Sequence, residues 1–512
     1  MLTSLFIVSC ALSLVCYVEA DTASLRLKFS ELGIDAVFPG DSYYEEFAIP
    51  YNLRFTYLPA GIVFPNSTQA VADSIKVAVE ENLPVSPRSG GHSFAAFGLG
   101  GDHGVLVVDV TLLNTISVDQ STGQAVIGTG NRLGDVAIGI YSQGRRALPH
   151  GSCPYVGIGG HAAFGGFGWA SRMWGMTLDN IIGHEVVLAN GTIVHASKDN
   201  NPDLFWALRG AGASFGIMTS IKFQTHPAPN ELLNFAFRWD FTEDDSANAL
   251  IEFQAFCQSN LPSELGMGVN FQRGSQPGRL KFGFVGAWFG DSKKFPTVIQ
   301  KWLDVMPTPT TTLIEKRDWL TDVQGMARVT SQEALLSSNM DVTDQYDTFY
   351  AKSLTTSDST PISNASIRAF SKHLASEGWI SDTRWIARFE LWGGQNSAIT
   401  SVAKDATAFA QRSILLSMHF YASSKDYLPP FPDEGFSFID EMVSTLVGNG
   451  RAYGAYANLD DDRLASTEWQ DLYFNDNYQR LSQIKSVYDP QNVFSYPQSI
   501  KGANSDWRSE EL

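Results

Sequence analysis

Cysteine is scarce: four in 512 residues. Two of them, Cys10 and Cys16, sit in an apolar run at the N-terminus. That excludes a disulfide scaffold, which needs paired cysteines at high density. Basic residues are also short, 36 Lys and Arg against 54 Asp and Glu, for a formal net charge of −18. So acidic a chain lacks the basic face that nucleic-acid phosphates demand, and it suits neutral or cationic small molecules. Long apolar runs are missing beyond residues 2–20, where a membrane span needs ~20 residues. Internal repeats and low-complexity tracts are missing too, so solenoids are excluded. His92, His150 and His161 accompany Cys153, but the paired short spacings and carboxylates of a zinc site are absent, and no metal is expected.

What is present reads as a large secreted globular protein. Residues 2–20 end in Val18-Glu19-Ala20, a small residue at a cleavage point, and read as a signal peptide without the usual basic start. Sequons at Asn66, Asn190 and Asn364 read as glycosylation acceptors. Cleavage leaves Cys153 and Cys257, open to one bridge or two buried thiols. At this length the chain is too long for one core and divides into two or three domains. The hydrophobic share of 44% and the aromatic share of 12% fit a well-packed interior.

Taken in order, an extended segment leads to a turn at Pro65, and Asn66-Ser67-Thr68 caps a helix over 68–82 with Val71, Ile75, Ala78 and Val79 on one face. Leu83-Pro84-Val85-Ser86 is a short strand that delivers Arg88-Ser89-Gly90-Gly91-His92-Ser93. Strand–helix–strand is an α/β opening. Strands follow at 105–110, 116–118 and 125–127, then a helix at 133–141. The stretch 151–168 is dense in glycine, which lets a flat or phosphorylated ligand approach the backbone. A hairpin at 181–197, a helix from Asp203 to Gly210 and a strand at 215–225 complete this part. Composition shifts at Pro227-Ala228-Pro229-Asn230, after which longer alternating strands (234–239, 266–272, 281–289, 384–391, 415–421) point to an antiparallel sheet backed by helices. A last helix spans 478–488.

Ser-Gly-Gly-His alone reads as an ordinary turn with a surface imidazole, and a lone Cys153 as a small buried hydrophobe. The ordered set of motifs says more. Arg88–Ser93, Gly151-Ser152-Cys153-Pro154-Tyr155-Val156-Gly157-Ile158-Gly159-Gly160-His161 and Asp203-Leu204-Phe205-Trp206-Ala207-Leu208-Arg209-Gly210 are joined by Phe349–Leu354, Gly393–Ala398 and Tyr488-Asp489-Pro490. Together they resemble the berberine-bridge-enzyme-like flavoproteins of the vanillyl-alcohol-oxidase superfamily, and within them most resemble the fungal glucooligosaccharide oxidases.

The resemblance implies an α+β fold of two domains, a PCMH-type FAD-binding domain over 21–229 and a substrate domain with an antiparallel sheet over 230–445. Residues 446–512 would return to the first domain. It implies FAD bound twice, His92 at the 8α-methyl carbon and Cys153 at ring carbon six. Such bonds favour the reduced ring and leave its substrate face open. Ser89, Gly90, Gly91 and Ser93 would form the pyrophosphate nest with Arg88 as helper. Gly157 and Gly160 would lie along the ribityl chain, His161 at the pyrimidine edge, and Gly151 and Val156 at the side where dioxygen enters. Ile217 and Asn492 complete the implied flavin set. Tyr456 would be the base that takes the substrate's hydroxyl proton, primed by Glu390, which stands where the glucooligosaccharide oxidases have aspartate. Tyr453 is its rival. His419 replaces a glutamine and would face the sugar together with Tyr350. The implied reaction oxidises the anomeric hydroxyl of a reducing oligosaccharide to a lactone and reduces dioxygen to hydrogen peroxide, in a monomer without nucleic-acid or membrane partners. Two other readings stand beside it: a flavoenzyme, oxidase or dehydrogenase, for a secondary-metabolite alcohol or amine, and a flavin-binding protein without turnover. The family's N-terminal disulfide has no cysteines here, which leaves Cys257 free and buried.

Overall fold

The structure, a computed structural model, describes residues 22–342, 346–448, 453–465 and 467–503. The signal-peptide reading, with Cys10 and Cys16, lies outside the described residues. Apolar runs in the first third become strands buried on both faces. Gly61–Phe64, Leu106–Asp109 and Val85–Arg88 pair in parallel, with Asp35–Val37 added antiparallel at the edge. Near-continuous apolar strands of this kind fit a covered parallel sheet. The crossover is the helix Thr68–Glu80, capped by Ser67, whose hydroxyl accepts the Ala70 N–H. Val85–Arg88 ends where the Ser89–His92 turn begins. A second, antiparallel sheet orders its strands Ile116–Asp119, Gln124–Gly128, Ile217–Gln224, Ile181–Val187 and Ile193–Ala196.

The second half is one seven-stranded antiparallel sheet. Its order is Thr311–Arg317, Leu232–Thr242, Arg279–Trp288, Leu265–Arg273, Thr383–Leu391, Leu416–Ser424 and Phe349–Thr356. Successive side chains of a strand point to opposite faces. Phe237, Phe271, Phe282, Phe389 and Phe420 therefore share a core with residues of the helices Glu243–Cys257, Phe295–Leu303, Asn364–Ile380 and Asp433–Val447. The alternate residues, among them Arg238, Asn270, Arg388, Glu390 and His419, face a cavity. Trp239, Trp288, Trp385 and Tyr350 fall on the helix side and are core.

The helices Glu468–Phe474 and Asn477–Tyr488 pack into the core of the first half. Their anchor is Lys485, fully buried, whose ammonium donates to Ser214 O at 2.7 Å and Phe494 O at 2.9 Å and pairs with Asp489 at 2.7 Å. Removing one partner of a buried pair costs about 3–5 kcal/mol, because the other charge is left without compensation. Lys485→Met is therefore expected to lower the thermal unfolding midpoint by several degrees, read by circular dichroism. An unchanged midpoint would mean that this clasp contributes nothing.

Candidate active site

A cavity of about 930 Å³ lies between the glycine loops of the first half, the bare face of the seven-stranded sheet and the segment around Tyr456. Its loops meet backbone to backbone. A Cβ on Gly90 would collide with Gly157 N, and one on Gly157 with Gly90 N and the Ser89 hydroxyl. Ser89 fixes this junction by donating to Thr129 O at 2.6 Å and accepting from Gly159 N at 3.3 Å. His92 and Cys153 both line the cavity, as do Ser89, Gly90, Gly91, Ser93, Gly151, Val156, Gly157, Gly160, His161 and Ile217. A Cβ at Gly160 would meet nothing within 4 Å, so the wall there is open backbone.

The His92 ring stacks on Tyr51, centroids 4.3 Å apart, with Arg132 Nη1 3.5 Å from Nε2. The loop beyond it is tied down by Asp460. That buried carboxylate accepts from the Ser93 hydroxyl at 2.7 Å and from the N–H groups of Phe94 and Ala95. Cys153 is half-buried and Cys257 fully buried, and neither is in a disulfide. The bridge reading is thereby excluded, and burial pushes the Cys257 thiol well up. His161 accepts the Gly151 N–H at Nε2, 3.2 Å away, which assigns its proton to Nδ1. Burial, with neighbouring His150, holds its pKa down to about 3, so the ring is neutral.

Tyr456 lines the cavity and Tyr453 does not; Tyr453 donates to Leu446 O on the other side. The Tyr456 oxygen accepts from Gly166 N at 2.7 Å and from Asn458 Nδ2 at 2.8 Å. Gly165 has φ +148°, and a Cβ there would press on the ring at 2.7 Å. Burial pushes the phenol up to about 12, against the pull of those two donors. Glu390 faces the same space. Burial raises its pKa, with the Arg388 charge acting in the opposite direction. His419 is neutral, its pKa held near 3 by burial and by Arg388, and its Nε2 is buried without a hydrogen bond.

Several expectations need correction. Tyr350 is not in the cavity. Strand alternation turns it to the helix side, where its hydroxyl bonds Asp440 at 3.1 Å and its ring packs on Phe436. Asn492 is not a cavity residue either: it is a left-handed turn position, φ 54°, bonded to Ser495, and Tyr496 and Gln498 from the same segment line the cavity instead. Arg88 lines the cavity, but its guanidinium is committed to Asp109 at 2.5 Å and to Phe47 O. The resemblance also implies a strand for the Tyr456 segment, and Tyr456 is not on one. Its segment is irregular, held by the single bridge Thr355–Gly454 and by Tyr456 N donating to Ser353 Oγ at 2.9 Å. No hydrogen bond joins Glu390 to Tyr456 among the described residues.

Four residues escaped the sequence reading. Arg388 was within reach, since it stands two positions from Glu390 on one strand, whereas Asn458 stands two positions from Tyr456 on an irregular segment. Asp460 and Tyr51 carried no signal, because their roles depend on contacts across hundreds of residues or with a distant turn.

Residues 59–197 match the FAD binding domain family and residues 455–501 the berberine and berberine-like family. The chain is 34% identical to the FAD-linked oxidoreductase dpmaF of Metarhizium anisopliae, covering 95% of this chain and 93% of that protein. It is 34% identical to a xylooligosaccharide oxidase of Thermothelomyces thermophilus, over 89% and 90%. A solved chitooligosaccharide oxidase superposes with a TM-score of 0.87 at 31% identity, covering 94% of this chain and 99% of that one. Another solved relative, the glucooligosaccharide oxidase of Acremonium strictum, is described as carrying a 6-S-cysteinyl, 8α-N1-histidyl FAD. The donor set here fits such a group: an imidazole and a thiol on one cavity, open backbone at Gly160, and glycines where the loops touch. The chain is an FAD-dependent oxidoreductase and belongs to the berberine-bridge-like family that includes the fungal oligosaccharide oxidases.

Proposed function

We propose that this chain is a secreted oligosaccharide oxidase that converts the anomeric hydroxyl of a reducing sugar to a lactone and passes the electrons to dioxygen, forming hydrogen peroxide. Residues 21–229 would form the flavin-binding unit, 230–445 the substrate unit, and 446–512 the segment that returns to the first. His92 and Cys153 would each bond the flavin ring. The exposed Asn66, Asn190 and Asn364 would carry glycans. The observation that carries the reading is the convergence on one cavity of a histidine and a cysteine from the glycine loops with a tyrosine and a carboxylate opposite.

When bound, the flavin supplies the two-electron acceptor for the hydride from the anomeric carbon. The protein's task is the hydroxyl proton. Both lone pairs of the Tyr456 oxygen accept hydrogen bonds, so its own proton is the group free to move. As substrate binds, its hydroxyl would displace one of these two donors from the Tyr456 oxygen; Tyr456 then takes the substrate proton as it releases its own to Glu390, and the remaining donor offsets phenolate charge as it develops. Catalytic contacts that are long in a free enzyme tighten around substrate, which is where the Tyr456–Glu390 contact would form. The neutral His161 presents its Nδ1–H, and His419 offers an unsatisfied nitrogen to a sugar hydroxyl.

Tyr456→Phe is expected to lower kcat by about 10²–10⁴-fold, the usual worth of a general base, in a peroxide-release assay on a panel of reducing sugars. Peroxide from no sugar in the panel would sink the oligosaccharide reading in favour of another alcohol or amine.

Glu390 must be ionised to receive the proton, and burial raises its pKa. The rate should therefore fall as pH drops through a value above the ordinary carboxylate range, and Glu390→Gln should abolish that acid limb along with most of kcat. A limb that persists unchanged in Glu390→Gln would assign it to another group.

Flavin fluorescence should stay with the denatured parent polypeptide and with either single variant, His92→Ala or Cys153→Ala, and be released from the double variant. Release from the parent would overturn the covalent attachment.

A further inference from the structure

The substrate half of the cavity is cationic, although the chain as a whole carries a formal charge of −18. Four arginines line it: Arg238, Arg317, Arg328 and Arg388. Arg317 is neutralised, with Glu315 at 2.5 Å and Asp322 at 3.4 Å. Among the described residues the side chains of the other three are in no hydrogen bond or ion pair. The sheet register explains how they come together. Arg238, Gly283, Asn270, Arg388 and His419 stand side by side on one rung across five adjacent strands. At about 4.8 Å per strand, Arg238 and Arg388 are about 14 Å apart along that rung. Between them Gly283 has no side chain and the Asn270 amide lies over it, so the rung presents a polar amide with a cation at either side. Arg328, exposed at the end of the helix Trp319–Ala327, lines the same cavity. Its charge is felt at Arg388, which burial and Arg328 together press toward lower basicity while Glu390 opposes them.

One carboxylate, Glu390, faces this space, on the next rung beside Gly268, and it forms no ion pair with Arg388 among the described residues. Asp460 faces the cavity from the flavin side and is consumed by the loop after His92. Arg238 and Arg328 stand exposed at the mouth, and deeper in Arg388 has Glu390 as the one cavity carboxylate that opposes its charge, so the substrate half presents a net positive charge to an anionic ligand group. A neutral sugar offers hydroxyls, which a serine or asparagine would bind as well. A guanidinium fork matches a carboxylate, two N–H groups to two oxygens.

We propose that the substrate is an acidic oligosaccharide, with a uronate carboxylate held by Arg388 and further negative charge met by Arg238 and Arg328 toward the mouth. This rests on the oligosaccharide oxidase reading above and names the class of sugar. The reducing end would lie beside Tyr456 and Glu390, and the uronate along the Arg388–Arg238 rung.

The test uses the flavin-loaded enzyme with trigalacturonate, a neutral cellotriose and a sulfated trisaccharide, followed by peroxide release. The uronate is expected to exceed the neutral sugar at least ten-fold in kcat/KM. Its KM should rise as salt screens the cavity charges, while that of the neutral sugar stays level. Arg388→Gln should cut the uronate-to-neutral ratio about ten-fold or more, the effect of losing one charge-assisted pair, and Arg238→Gln should cut it less. An unaltered flavin spectrum and unfolding midpoint would exclude misfolding as the cause. A parent that prefers cellotriose, or a ratio unmoved in Arg388→Gln, overturns the proposal and leaves the oxidase reading standing. Preference for the sulfated sugar overturns the carboxylate. If no sugar is oxidised, the oxidase reading falls. Calorimetric titration with trigalacturonate then decides the anionic site: saturable binding that weakens in Arg388→Gln supports it, and no binding rejects it.

Discussion

The contact on which the site depends is between two glycines. Gly90 and Gly157 touch through their backbones so closely that neither tolerates a Cβ. One belongs to the turn that ends the strand Val85–Arg88, and the other opens the short helix Ile158–Ala163. Because they touch, His92 and Cys153 stand on the same cavity, although they come from separate parts of the sequence. Any side chain at either position would wedge the loops apart and dissolve that pairing. The remaining ties serve this junction: Ser89 bridges to Thr129 and Gly159, and Asp460 reaches from the C-terminal segment to hold Ser93.

The opposite wall obeys a different constraint, the two-residue period of a strand. The same alternation that sends the phenylalanines of the seven-stranded sheet into the helix-covered core sends Arg388, Glu390 and His419 into the cavity. It also removes Tyr350 from it, since that residue shares its face with the core. A one-residue slip of any strand would exchange these sets and bury charge against phenylalanine, so the core itself fixes which polar groups meet the substrate.

This division explains what was legible in the sequence. Glycine turns and strand alternation are local, so the strand that delivers the Ser89–His92 turn, the helix after Ser67 and the sheet with its helical cover could all be read from nearby residues. Arg388 was equally local and was missed for want of applying the period of two beside Glu390, while Asn458, two residues from Tyr456 on an irregular segment, is placed by no such period. Asp460 belongs to another class. It lies hundreds of residues from Ser93, and nothing around it distinguishes it from the neighbouring Asp461 and Asp462, which pair with Lys352 and Arg54 instead. The commitment of Arg88 to Asp109 was hidden for the same reason: a basic residue beside a phosphate-like motif reads as a ligand until its partner on the adjacent strand is seen.

The net charge taught the opposite of what the cavity shows, and the reason is one of range. A surplus of acidic groups spread over the whole surface acts through water, and salt screens it beyond about 10 Å at 0.1 M. Arg388, half-buried in the cavity wall, acts over a few ångströms in a medium of lower permittivity, where the same charge counts for much more. A formal charge of −18 therefore bears on solubility and on the repulsion of polyanions at a distance. It does not bear on what Arg388 meets. Summing over the chain averages away the one region where sign matters to substrate, because sequence order does not tell that Arg238 and Arg388 share a rung. Only the sheet register does.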